Sequence, residues 1–183
     1  MNFIKTAIEG VQIIEPVLFK DERGYFFESY NEAECIKNGL TNRFVQDNQS
    51  KSSYGVVRGL HAQVGSAAQA KLVRVLQGCV LDVAVDIRRN SPTFGKHVAV
   101  ELSDVNQRQL FLPRGCLHGF SVLSPTAVLA YKCDNFYCKS AEMTIRYDDA
   151  DLNIDWKIEP GKIIVSPKDA QAKPFKECLP YEP

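Results

Sequence analysis

Short apolar runs, each closed by a turn signal, recur along the 183-residue chain. They read VQIIEPVLF, YFFESY, GVVRGLH, KLVRVLQG, CVLDVAVDI, KHVAVEL, QLFLP, GFSVL, VLAYKC, EMTIRY and KIIVS. Between them lie turn clusters such as Lys20-Asp21-Glu22-Arg23-Gly24, Asn90-Ser91-Pro92, Pro113-Arg114-Gly115, Ser124-Pro125 and Pro160-Gly161. Many short, β-branched-rich strands at roughly 8–12-residue spacing predict an all-β sandwich or barrel. The pattern reads as a jelly-roll-like β-barrel, one domain over residues 1–183. One short N-terminal helix is predicted, with Asn31 as N-cap, a capping-box Glu at position 34 and Gly39 beyond its end. Short helical segments are expected in the C-terminal tail, where Pro167, Pro174 and Pro180 break any longer element.

Two of the strands carry polar residues among the apolar ones. In CVLDVAVDIR, alternation puts Asp82, Ala84 and Asp86 on one face and Leu81, Val83, Val85 and Ile87 on the other. The acids then either face solvent or line the lumen of a small barrel that holds one ligand, and the alternation admits both. In GVVRGLHAQ, Arg58 and His61 sit three positions apart inside an apolar run. Burying a guanidinium or an imidazole is costly unless each finds a partner. Strand parity sends the two side chains to opposite faces, but a bulge at Gly59 would re-aim one of them. Gln63 shares a face with His61, and Lys71 and Arg74 follow nearby. His97 reads as a surface or strand-end histidine, and His118, between a PRG turn and Gly119-Phe120, fits a structural hydrogen bond as well as a ligand contact.

Charge narrows the function classes. Lys plus Arg and Asp plus Glu are 22 each, so the net charge is zero. A nucleic-acid footprint or a membrane-surface patch needs a one-signed excess, so neither partner is expected. The six cysteines (Cys35, Cys79, Cys116, Cys133, Cys138 and Cys178) include no C-x-x-C pair and are read as free thiols of a reducing cytosol. No apolar stretch approaches the ~18 residues of a membrane span, and a cytoplasmic location is expected. The chain has no H-x-H, and no carboxylate closely follows His61, so no metal site is expected.

The stretches DERGYFFESY, RFVQDNQSKSSYGVVRGLHAQ, QAKLVRVLQGCVLDVAVDIRRNSPTFG, LSDVNQRQLFLPRGCLHGFSVLS, YKCDNFY and IIVSPKD run in order from about Ile14 to Asp169. Together they resemble the dTDP-4-dehydrorhamnose 3,5-epimerase family. The resemblance implies a cupin-type jelly roll that works as a homodimer without metal or cofactor. It implies inversion of C3 and C5 of a dTDP-4-keto-6-deoxyglucose substrate. By the same resemblance the histidine of GLH, His61, is the general base, and Asp169 of the S-x-K-D stretch pairs with it. Tyr131, which opens the YK motif, is then the proton donor, and Lys71 lies near the ketone oxygen. Implied substrate-binding positions are Arg23, Glu28, Gln46, Asn48, Arg58, His118, Glu142 and Lys168, with Tyr137 stacking on the substrate. The Arg23 segment is the one expected to reach the partner subunit's site. Family members commonly carry an aromatic after the histidine of GLH, where this chain has Ala62, and parity predicts a change of packing there rather than of catalysis.

These residue types suit the chemistry. Epimerisation beside a ketone needs a base that titrates near neutrality, which an imidazole supplies. A carboxylate on its far nitrogen fixes the tautomer and stabilises the imidazolium that forms. A tyrosine hydroxyl stays protonated and can return a proton on the opposite face. The enolate's charge calls for a preorganised cation such as Lys71, and a diphosphate calls for guanidinium forks such as Arg23 and Arg58. The rival readings are an epimerase acting at C3 or C5 only, a non-catalytic sugar-nucleotide binder and a metal-dependent cupin oxygenase.

Overall fold

A computed structural model describes residues 1–182. In chain order the strands are β1 (Asn2–Lys5), β2 (Gln12–Glu15), β3 (Phe19–Asp21), β4 (Gly24–Phe26), β5 (Gln46–Ser53), β6 (Val57–Gln63) and β7 (Lys71–Gln77). They continue with β8 (Cys79–Asp86), β9 (His97–Ser103), β10 (Gln109–Leu112), β11 (Cys116–Val122), β12 (Thr126–Cys133) and β13 (Glu142–Thr144). Helix α1 (Glu32–Lys37) starts at Asn31, whose side chain accepts from the Glu34 amide, and Gly39 follows its end at φ +88°. Helix α2 (Pro167–Ala170) has Pro167 in its first turn and Ser166 as N-cap. Single 3₁₀ turns at Gly65–Ala67, Lys139–Ala141, Pro160–Lys162 and Phe175–Glu177 complete the helical parts.

The strands form a six-stranded sheet ordered β1-β2-β10-β7-β12-β5, a five-stranded sheet ordered β13-β6-β11-β8-β9, and the separate hairpin β3-β4. The closed barrel expected from the sequence is therefore not formed. The two larger sheets are held face to face by side chains: Val73, Val75, Leu110 and Leu129 of one meet Val80, Leu102, Phe120 and Val122 of the other. Sheets stacked through a side-chain layer stand ~10 Å apart, too far for backbone hydrogen bonds to close the ring.

Alternation along β8 decides what each face touches. Leu81, Val83 and Val85 point away from the facing sheet and pack under Ile145, Leu152 and Trp156 of the C-terminal segment. Val80 and Ala84 point between the sheets, and so do Asp82 and Asp86, both 0% exposed. Of the two readings of these acids, the solvent face is thus the wrong one, because the C-terminal segment covers one side and the second sheet the other. Asp86 serves a turn, accepting from the Arg88 amide and guanidinium and from the hydroxyls of Ser91 and Thr93. The C-terminal segment is pinned beside β6, where the Val57 amide donates to the Ile164 carbonyl at 2.9 Å and the Ile164 amide to that of Gly55 at 2.9 Å.

Candidate active site

The inter-sheet space is filled with apolar side chains toward one end and opens into a polar cleft at the other. One cavity of about 450 Å³ is bordered by Arg58, His61, Lys71, His118, Tyr131 and Asp169 among others. An adjoining cavity of about 350 Å³ is bordered by Gln46, Asn48, Gln63, Tyr137 and Glu142. His61, Lys71 and Tyr131 border both, so they stand where the two meet.

The backbone of β6 explains how Arg58 and His61 reach the same space. Against β11, Arg58 pairs with Phe120 and His61 with His118, so three steps on β6 match two on β11. The extra residue is a β-bulge at Gly59 and Leu60, which reverses parity and turns both side chains into the cleft. Gly59 is required there on two counts. Its φ is +130°, and a Cβ would lie 2.6 Å from the Gly119 Cα. Ala62, next to His61, packs in the outer apolar layer and also borders the second cavity.

His61 Nε2 lies 2.6 Å from Asp169 Oδ1. Ser166 accepts from the Asp169 amide at 3.1 Å, so the helix cap that starts α2 also orients the carboxylate. Burial works to raise the pKa of Asp169, but the hydrogen bond and charge of His61, with Ser166 and the Gly59 backbone, hold it below the ordinary carboxylate value. With Nε2 engaged by Asp169, Nδ1 is the nitrogen of His61 left for a proton from a ligand.

Lys71 and Tyr131 come from the opposite sheet. The Lys71 ammonium lies 5.7 Å from the centre of the Tyr131 ring. Desolvation pulls Lys71 below the usual lysine pKa, opposed by Cys133, Asp82 and Glu142. Tyr131 is pushed above the usual phenol value by burial and by Cys133, against the pull of Arg58, so its hydroxyl keeps its proton at neutral pH. His118 stands edge-on to Tyr131, ring centres 6.4 Å apart, and its Nε2 is 2.8 Å from Asp82 Oδ1.

The rim is tied together by polar contacts. Tyr137 donates its hydroxyl to Glu142 Oε2 at 3.0 Å, and Lys168 Nζ is 2.5 Å from Glu142 Oε1. Burial would raise the pKa of Glu142, but Lys168 and Tyr137 outweigh it and hold the group ionised. Gln46 donates to Asn48 at 3.1 Å and accepts from the Tyr137 amide at 3.2 Å. Arg58 donates from Nε to the Ser52 hydroxyl at 3.0 Å.

Two expected residues stand apart. Arg23 sits at the exposed turn of the β3-β4 hairpin, 2.5 Å from Asp21, and Glu28 accepts from Asn31. Neither borders the two cavities. His97 opens β9 away from the cleft, as expected of a strand-end histidine. Sequence reasoning left Asp82 undecided and missed Ser52, Phe120 and Ser166. The period-2 pattern marks Asp82, and the S-P start of α2 marks Ser166, but nothing in the sequence points to the other two. All six cysteines are free thiols, and no cluster among the described residues suits a metal ion. No helix is long and apolar enough to cross a membrane.

The chain is similar to known proteins along nearly its whole length. Residues 5–177 match the family model described as dTDP-4-dehydrorhamnose 3,5-epimerase. A protein of that name from Methanothermobacter thermautotrophicus is 49% identical over 98% of this chain and 97% of its own length. The crystal structure of dTDP-4-dehydrorhamnose 3,5-epimerase from Elizabethkingia anophelis superposes with a TM-score of 0.93 at 56% identity, covering 97% of each chain. A dTDP-6-deoxy-D-glucose-3,5-epimerase from Legionella pneumophila, solved in complex with dTDP-4-keto-L-rhamnose, gives 0.94 at 48% identity, over 100% of this chain and 98% of that one.

Proposed function

The chain belongs to the dTDP-4-dehydrorhamnose 3,5-epimerase family, and from that premise we propose that it inverts C3 and C5 of dTDP-4-keto-6-deoxyglucose to give dTDP-4-keto-L-rhamnose. As a member of that family it is an isomerase of the dTDP-rhamnose pathway. The observation that carries the proposal is the meeting of His61, Lys71 and Tyr131 at the junction of the two cavities, with Asp169 on the far nitrogen of His61.

In this reading the hydrogens on C3 and C5 are acidic because the C4 ketone flanks both. His61 takes a proton from one carbon, and Asp169 stabilises the imidazolium that results. Negative charge moves onto the C4 oxygen, where Lys71 offsets it. Tyr131, projecting from the other sheet, returns a proton to the opposite face of the ring. Each inversion breaks one C–H bond and forms another, so no redox cofactor takes part in the balance. Arg58 and Lys168 meet the diphosphate, Gln46, Asn48, His118 and Glu142 hold the substrate, and Tyr137 stacks on it.

The same reading includes a cytoplasmic homodimer. Phe19, Tyr25 and Phe26 of the β3-β4 hairpin are more than half exposed, and the hairpin carries Arg23 away from its own cleft. Arg23 and Glu28 would therefore complete the site of a second copy. Mixing R23A with H61A protein should then restore part of the activity that each homodimer lacks.

The deciding experiment is NMR of the 4-keto sugar nucleotide with the protein in heavy water. Deuterium should enter at both C3 and C5. Uptake at one carbon would replace the proposal with a mono-epimerase, and nucleotide binding without uptake would leave only a binding protein.

A further inference from the structure

A second histidine–aspartate pair lies in the cleft, and its carboxylate has one partner. Asp82 on β8 is 0% exposed, and its Oδ1 lies 2.8 Å from His118 Nε2 on the adjacent β11. Its other oxygen, Oδ2, is the one fully buried side-chain nitrogen or oxygen without a hydrogen-bond partner among the described residues. Contrast Asp86, four residues along the same strand, which accepts from a turn amide, a guanidinium and two hydroxyls. A buried carboxylate left half-satisfied is unfavourable for the fold. Its place at Asp82 calls for a role that runs through His118.

His118 borders the cavity beside Lys71, Phe120 and Tyr131. We propose that Asp82 is a positioning residue: by accepting the Nε2–H of a neutral His118, it leaves Nδ1 as an acceptor for a hydroxyl group on the sugar ring of the substrate. Burial favours the neutral ring, against the opposing effect of Asp82 and with further help from Lys71 and His61. A neutral imidazole carries one N–H, so committing it to a carboxylate turns the other nitrogen into a lone pair. Such a lone pair rewards a donor in the substrate, which a hydroxyl is and a ketone oxygen is not. His118 would thus select for the sugar's hydroxylation rather than stabilise the enolate. This inference rests on the epimerase reading, since it needs a sugar ring in the cleft.

Long-range proton–nitrogen NMR of protein labelled at its three histidines tests it directly. His118 of the wild-type protein should show one neutral tautomer, Nε2–H, near pH 7. An Nδ1–H ring or an imidazolium would overturn the proposal, and this measurement needs no variant. Asp82→Leu keeps the branched shape, at a larger volume, and removes the acceptor, so both tautomers should then populate. KM for the parent sugar should rise roughly 2–13-fold, the worth of one neutral hydrogen bond. Two analogues, lacking the C2 or the C3 hydroxyl and read by exchange at C5, locate the contact. For one of them Asp82→Leu should cause no further loss, whereas equal losses on all three sugars would mark a purely structural role and sink the idea. Failure of the epimerase reading shows elsewhere: the wild-type enzyme would exchange no deuterium while its tautomer spectrum still read Nε2–H. That result would overturn the hydroxyl assignment along with the reading it rests on.

Discussion

Two histidine–aspartate pairs share one cleft, yet they are built differently. His118 and Asp82 come from neighbouring strands of one sheet, and their side chains are 8% and 0% exposed. His61 and Asp169 join a strand to a helix 108 residues later, and the His61 side chain is 32% exposed. The sealed pair can hold a hydrogen bond but has little access to water. The open pair can take a proton from a ligand and pass it to solvent, as a base that turns over must. The same two residue types therefore suit a fixed contact in one place and proton transfer in the other, and exposure makes the difference.

The largest test of that contrast is His61→Ala, which should lower deuterium exchange at both carbons by ~10³-fold, the usual worth of a general base. His118→Ala should keep measurable exchange and raise KM instead. If the two variants swapped these effects, the assignment of roles would be reversed. Tyr131→Phe should slow inversion by ~10²-fold while deuterium still enters the recovered substrate, because the base is intact and only the returning acid is lost. Comparing substrate label with product formed in one NMR series checks this. Lys71→Met should cost about 10²-fold in kcat with nucleotide binding unchanged, measured by steady-state kinetics and dTDP titration.

The smallest effect is on stability in acid. Asp169 and Asp86 both have pKa values held below the unfolded carboxylate value, against the opposing effect of burial, by His61 in one case and by Arg88, Ser91 and Thr93 in the other. A depressed folded-state pKa contributes stability in full above the unfolded value of about 4, and that contribution fades as pH falls through the lower folded value. Urea midpoints should therefore drop between pH 5 and pH 2, spans set by the same ordinary carboxylate range. Asp86→Asn should flatten that slope without changing exchange per folded molecule. An unchanged slope would remove Asp86 from the acid response.

Much of this was legible in the sequence for a local reason. Strand alternation and turn residues act over a few positions, so the all-β class and the cap at Asn31 can be read from neighbours alone. Gly59 between Arg58 and His61 signalled the bulge that turns both inward, because only glycine fits where β6 crosses Gly119 so closely. Asp82 was ambiguous, since period-2 alternation tells which residues share a face but not what covers it. Asp169 and Tyr131 carried no physical signal of their own. Their roles rested on the resemblance, because a turn acid and a strand aromatic are ordinary. Arg23 was expected near the substrate, and within this chain it lies on an exposed hairpin.

Short-range patterning thus sufficed for the kind of elements present, the places where they stop and the presence of polar groups inside apolar strands. Whether the sheets close into a barrel depended on the side-chain layer that keeps them apart, which is a property of two sheets and not of any strand. Likewise, the distance from His61 to Asp169 depends on the backbone bonds between residues 55–57 and 164 that bring α2 beside β6. Folding through such long-range contacts is what gave the two histidines unequal access to water, and with it the different roles proposed for them.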